Sequence, residues 1–356
     1  MKVPSLPPVS RFTWGPLVLV LMLVLGEPAR ALASPLVVEA ALDRDVVAPL
    51  LEAFQANHPD IDLDFRDRST LEVDDLVVQG DPAPDVVISS AMPWQMARVN
   101  EGYALPLDSP QSRNWPAWAK WRDEVFGFTF EPIVMAYRLD LTKHMMPPRT
   151  HADLHTLLTT QHDLLQQKVT TYSPLTSGIG YTLFQQDARY SLRFWDLVAG
   201  MGRVDAQLED NTRAMLEGIS EGRYWLGYNL LGSYAMVWAQ DHPEVIVQLP
   251  QDYSLVMMRM AFVHRAAPNP DAAKVFVNFL LSREGQRVLA GQTPLFSVLP
   301  GIIGPYTAQR LRDQVGERIY PIPLNASLLA FVDPQRRSAF LARWRREFRR
   351  ELRLDD

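Results

Sequence analysis

From residue 34 onward, short apolar, β-branched runs alternate with segments whose apolar residues recur at helical spacing. Residues 36–40 read as a strand, and 43–57 then set Val46, Val47, Leu50, Leu51 and Phe54 on one helix face. His58-Pro59-Asp60 breaks that helix, and the beat repeats as strand 61–65, helix 71–79, strand 85–89 and helix 93–100. Such an order leaves few options. Successive strand–helix–strand units close with parallel strands and flanking helices, so the expectation is an α/β fold. Ligands in open sheets of this kind sit beyond the carboxyl ends of the strands, which here carry Ala41, Ser69, Thr70, Ser89 and Ser90.

Residues 126–137 are extended and apolar on both faces, which suits a segment crossing between two lobes near Glu131 and Pro132. A second α/β unit follows, with helices over 151–165, 190–199, 212–220 and 232–240 and strands over 168–172, 224–228 and 245–249. Residues 254–263 then return the chain, and helices 271–281 and 283–289 complete the first unit. The division expected is 34–131 plus 260–356 for the first lobe and 132–259 for the second.

The N-terminus bears on the compartment. Lys2 and Arg11 precede an apolar run, 14–25, and Ala31-Leu32-Ala33 has the small-x-small form of a signal-peptidase site. The run falls short of the roughly 20 residues a membrane span requires, so cleavage after Ala33 is expected. The chain has no cysteine, although an exported protein is free to form disulfides. Residues 34–356 are long enough to bury a core without such cross-links. Thiolate chemistry and cysteine metal sites are thereby excluded. Taking Lys2, Arg11, Arg30 and Glu27 from the totals of 35 basic and 41 acidic residues leaves 32 and 40, a net charge of −8. Such a balance argues against nonspecific binding to nucleic acid. The arginine-rich run 336–353 is the exception, but Phe340, Leu341, Trp344, Phe348 and Leu352 recur within it at helical spacing. It reads as a terminal helix with one docked apolar face and a solvated basic one.

The richest local signal lies in 168–180, KVTTYSPLTSGIG: a β-branched strand, a hydroxyl-rich turn, then glycines opening a helix. Unpaired N–H groups at a helix start, with the dipole behind them and hydroxyls beside them, can hold an anionic oxygen. The plainer reading is that Thr176 or Ser177 caps the helix and touches no ligand.

Several segments together resemble the periplasmic solute-binding proteins of ABC transporters, in the branch that includes ferric-iron, thiamine, phosphonate and phosphoglycerate binders. Leu36-Val37-Val38-Glu39-Ala40-Ala41, with the helix containing Leu50 to Phe54, is similar to that family's opening strand and helix. Asp81-Pro82-Ala83-Pro84-Asp85-Val86-Val87 resembles its third strand, and His151-Ala152-Asp153-Leu154 its Trp-x-Asp-Leu helix start. The most specific match is 269–286, NPDAAKVFVNFLLSREGQ. The resemblance implies a two-lobe, type 2 periplasmic binding fold closing on a small solute, with no covalent chemistry and no cofactor. It implies an inner-membrane permease or a membrane sensor kinase as partner, and a monomer. By position it implies ligand contacts at Ser69, Thr70, Ser89 and Ser90 on one lobe. Ser173, Thr176, Ser177, Gly178, Tyr228 and Asn229 stand at the matching places on the other. Those hydroxyls and helix starts suit phosphate, phosphonate or carboxylate oxygens, and Arg68 is placed to add a charge-assisted bond.

The ferric members use adjacent tyrosines with His and Glu, whereas Tyr306 and Tyr320 here stand alone. A small anion therefore leads over iron as the expected guest. His151 and His155 have i, i+4 metal-ligand spacing without a third partner of clear spacing. No Gly-x-Ser-x-Gly elbow or P-loop occurs. The acidic pairs Asp43/Asp45 and Asp74/Asp75 are explained by their places early in helices. Trp115, Trp118 and Trp121 read as packing residues, while Trp94 stands where it can line the cleft.

Overall fold

A computed structural model of the chain describes Met1 and residues 34–349. The expected leader lies outside the described residues, as does the run beyond Arg349. Among the described residues no helix is long and apolar enough to cross a membrane.

The chain begins with β1 (Leu36–Ala40), α1 (Arg44–Asn57), β2 (Leu63–Asp67), α2 (Thr70–Gln79), β3 (Val86–Ser89), α3 (Met92–Asn100) and β4 (Ala104–Leu105). Next come α4 (Pro110–Asn114), β5 (Lys120–Trp121), β6 (Val125–Gly127), β7 (Glu131–Arg138), α5 (His151–Thr160) and α6 (His162–Leu165). The second α/β unit continues with β8 (Val169–Tyr172), α7 (Gly178–Tyr190), α8 (Phe194–Arg203), β9 (Gln207–Glu209) and α9 (Thr212–Ser220). It ends with β10 (Leu226–Leu231), α10 (Gly232–Asp241), β11 (Val245–Gln248) and β12 (Ser254–Met257). The last part holds β13 (Met260–His264), α11 (Pro270–Leu281), α12 (Arg283–Gln292), α13 (Ala308–Val315), β14 (Ile319–Pro321), α14 (Leu329–Val332) and α15 (Pro334–Phe348).

The strands form two sheets of seven. One has the order β2-β1-β3-β13-β6-β5, with β4 on β13; the other is β14-β12-β7-β10-β8-β9, with β11 on β7. β1 runs parallel to β2 and β3, and β8 runs parallel to β9 and β10. The carboxyl ends of these strands carry the loops that build the cavity described below. The chain passes between the sheets over 128–130 and again over 258–259. The two passages lie side by side: Phe128 N donates to the Arg259 carbonyl at 2.9 Å, and Arg259 N to Thr129 Oγ1 at 2.9 Å.

The most family-like segments wire the first sheet to its helices. Asp85, fully buried, accepts from Val37 N at 2.9 Å, Asn269 N at 2.6 Å and Asn269 Nδ2 at 3.3 Å. One carboxylate thus ties β1 and β3 to the start of α11. Gln286 is equally buried; it donates to the carbonyls of Phe128 and Leu280 and accepts from Ser297 Oγ and Val298 N. Buried polar groups so fully partnered stabilise rather than strain the core.

Two expectations change. The helix expected over 190–199 is α8, which starts only at Phe194 because α7 runs to Tyr190. The segment 260–356 does not stay with the first sheet. β14 pairs in parallel with β12 of the second sheet, and α15 lies along α8. Trp344 is buried beside Phe184, and Phe340 packs against Phe194 and Trp195. At Gly202 an added Cβ would fall 1.7 Å from the Phe348 carbonyl oxygen, so this approach requires glycine. Helical spacing identified α15 but not its mate, because an apolar stripe does not name the surface that covers it.

Candidate functional site

Several helix starts converge between the two sheets. Asp43, Arg44 and Asp45 at the head of α1, and Ser69 and Thr70 at the head of α2, come from the first sheet's loops. Ile179 of α7 and Asn211, Thr212 and Arg213 at the head of α9 come from the second. They enclose a cavity of about 530 Å³. Each start presents N–H groups and the positive end of a dipole, so the enclosure favours negative charge. Tyr172 and Tyr234 complete its wall, and burial pushes both hydroxyls up, keeping them neutral.

Arg259 forms the inner end. It sits on the returning passage between the sheets and is only 2% exposed. Nε donates to Glu131 Oε1 at 2.8 Å, Nη1 donates to the Ala41 carbonyl, and the guanidinium stands 5.5 Å from the Tyr234 ring centroid. Glu131, fully buried at the start of β7, also accepts from Thr129 Oγ1 at 2.9 Å and Ser233 Oγ at 2.5 Å. Burial opposes the guanidinium charge, but Glu131 holds its pKa above the ordinary value. Nε and Nη1 of Arg259 are therefore engaged. Among the described residues none accepts from Nη2, and Arg259 lines the cavity.

The two sides touch at the cavity's edge. Arg213 donates through Nε and Nη2 to Asp43 Oδ2 at 3.1 and 2.8 Å, and Tyr234 OH donates to Asp43 Oδ1 at 3.2 Å. Gly178 N donates to Thr70 Oγ1 at 3.0 Å. A Cβ at Gly178 would come within 3.0 Å of both Ala91 Cβ and Thr70 Oγ1, so glycine permits the close approach.

Of the expected contact residues, Ser69, Thr70, Ser90 and Thr176 line the cavity. The others do not. Ser89 Oγ accepts from Ala91 N at 3.1 Å, and Ser173 Oγ from Leu175 N at 3.3 Å. Ser177 is the N-cap of α7, accepting from Gly180 N at 3.3 Å, and Thr176 Oγ1 donates to Asp210. The hydroxyl-rich turn thus spends most of its donors and acceptors on itself and its neighbours. Tyr228 and Asn229 turn away altogether. Tyr228 OH, Asn229 Nδ2 and Tyr253 OH all donate to the buried Asp187, at 2.7, 2.8 and 2.9 Å. Arg68 lines the cavity but its Nε is held by Glu39 at 3.1 Å. Trp94 faces a different groove, edge-on to Tyr181 at 5.5 Å and under Arg337. His151 is bonded to Asp252 at 2.9 Å and stacked on Tyr253 at 4.0 Å. Among the described residues no three His, Asp or Glu side chains are grouped to hold a metal.

Sequence reasoning missed Arg259, Arg213, Tyr172, Tyr234 and Asp210. Asp43 was noticed, but only as a helix-dipole residue. Its place just after β1, at a strand's carboxyl end, is the signal that would have marked it. Arg259 offered another: a single arginine inside the apolar run 254–263.

Residues 36–292 match the family described as bacterial extracellular solute-binding protein. Among solved structures, the chain is similar to the substrate-binding protein of an ABC transporter from Agrobacterium tumefaciens, at 34% identity and a TM-score of 0.86. That alignment covers 90% of this chain and 96% of the other. AfuA from Actinobacillus pleuropneumoniae, with fructose-6-phosphate bound, aligns at 15% identity and a TM-score of 0.71, covering 88% and 98%. Iron-bound HitA from Pseudomonas aeruginosa aligns at 15% and 0.67, covering 88% and 99%. At such identities the last two speak to the fold alone. No curated protein matches the chain.

Proposed function

The chain belongs to the bacterial extracellular solute-binding protein family, and from that premise we propose that it captures a small solute bearing an anionic group, carboxylate or phosphoryl, for ABC-type uptake. The observation that carries this reading is Arg259, a buried guanidinium that lines the cavity with Nε and Nη1 engaged and Nη2 without an acceptor among the described residues. A buried guanidinium nitrogen with unspent donors is costly until an acceptor arrives, and an anionic oxygen is a stronger acceptor there than a neutral hydroxyl. The converging helix starts add to the preference. The Agrobacterium relative supports the transporter partner, an inner-membrane permease.

In this reading Thr70, Ser90 and Thr176 contact the solute beside Arg259, Ser69 stands at the rim, and no bond is made or broken. The lobes divide near Glu131 and Arg259, with β14 and α15 assigned to the second. Solute contacts to both lobes favour the closed arrangement. The protein works as a monomer in the periplasm after loss of its leader. A thermal-shift screen tests the reading: carboxylates or phosphorylated compounds should raise Tm, while glucose or spermidine should not. Stabilisation by a neutral sugar or a polyamine alone would refute it.

A further inference from the structure

The charges around the cavity do not suit a doubly charged anion. Arg44, Arg68, Arg213 and Arg259 line it, but so do Asp43, Asp45, Asp67 and Asp210. Two of the arginines bring carboxylates of their own from outside the lining, Arg68 with Glu39 at 3.1 Å and Arg259 with Glu131 at 2.8 Å. A third, Arg213, is spent on Asp43 at 2.8 Å. Among the described residues Asp45, Asp67 and Asp210 make no ion pair. The dipole of α1 accounts for Asp45, which lies in its first turn. Asp67 is different: it ends β2 rather than starting a helix, and its carboxyl is pushed up by partial desolvation and by Asp43.

A dianion on Arg259 would meet one positive charge already shared with Glu131, and it would face open carboxylates across the same space. Like charges facing each other across one cavity repel, and a dianion doubles the repulsion. A solute with a positive group at its far end turns the same carboxylates into partners. Its net charge of zero also matches a lining whose formal charges cancel.

We propose that the solute is a small zwitterion, with one singly charged anionic group on Arg259 Nη2 and a cationic nitrogen facing Asp67. The proposal rests on the reading that Arg259 receives an anion, and it narrows that reading from anions in general to one charge class.

The test sets α- and ω-amino acids against three comparison sets: alkanoates lacking only the nitrogen, dicarboxylates and sugar phosphates of similar size, and glucose. Tm shifts of the mature protein are read first, then calorimetric affinities. An amino acid should stabilise the protein and bind at least about tenfold tighter than its alkanoate. Asp67→Asn should abolish that advantage, raising alkanoate affinity as the facing charge is removed, while Asp67→Glu should restore it. Dicarboxylates or sugar phosphates stabilising in place of amino acids would overturn the proposal and leave the anion reading standing. Glucose stabilising alone would defeat both. An amino-acid advantage that survives Asp67→Asn, or that Asp67→Glu does not restore, would also overturn the proposal.

Discussion

Two buried charges, one in the second sheet's own core and one where the sheets meet, are handled in opposite ways. Asp187, 1% exposed, accepts from Tyr228, Asn229 and Tyr253, three neutral donors on two oxygens, and leaves nothing for a ligand. Arg259, 2% exposed, spends Nε on Glu131 and Nη1 on the Ala41 carbonyl but leaves Nη2 without an acceptor among the described residues, and it lines a cavity. Burial alone therefore does not mark a binding residue. What marks it is burial with donors left over and a space in front of them.

The largest effect is expected at Asp187→Ala, which strands three buried donors at roughly 1–3 kcal/mol each. Chemical denaturation should register a stability loss of about 4 kcal/mol. Solute affinity in the folded fraction should be little changed; a selective loss of affinity would mean that Asp187 belongs to the site after all.

Arg259→Lys should reverse that pattern. The ammonium keeps a charge for Glu131 but loses the planar fork, so affinity for the solute should fall about tenfold to a hundredfold, or roughly 1.5–3 kcal/mol. Calorimetry on the folded variant gives the number, and unchanged affinity would remove Arg259 from the account.

Ser177→Ala should behave as the loss of a helix cap, costing about 1 kcal/mol of stability with affinity preserved. A drop in affinity larger than the drop in stability would return the hydroxyl-rich turn to the site.

The smallest effect is the pH dependence of Asp67. Folding raises its pKa, so its contribution to stability is full below the unfolded value, near 4, and is lost as pH rises through the folded value. Asp67→Asn should therefore gain stability relative to the parent across that window. Solvent screening of this exposed side chain limits the gain to a few tenths of a kcal/mol. No pH-dependent difference would place Asp67 in free solvent.

The alternation of strands and helices was legible because each element buries one face and so carries a period. The segment 269–286 was the clearest match, and its Asn269, Ser282 and Gln286 prove to be wiring: they secure helix starts and loops of the first sheet. The site was less legible. Thr70, Ser90 and Thr176, expected from their places after strands, line the cavity, whereas Tyr228 and Asn229, expected by the same rule, donate to Asp187. Both lie inside β10 rather than after it, at a register irregularity where Asn229 takes φ 65°, and the two neighbours reach the same carboxylate. Arg259 acquires its role only from partners 128 and 218 residues away in sequence, Glu131 and Ala41. The lone arginine in an apolar run marks the position, but local sequence does not name those partners.

The most direct test is a crystal structure of the protein with whichever compound most raises its Tm. An anionic oxygen should lie within hydrogen-bond distance of Arg259 Nη2, between the helix starts of the two sheets. A solute seated elsewhere, or one that offers that edge only a neutral group, would contradict the account.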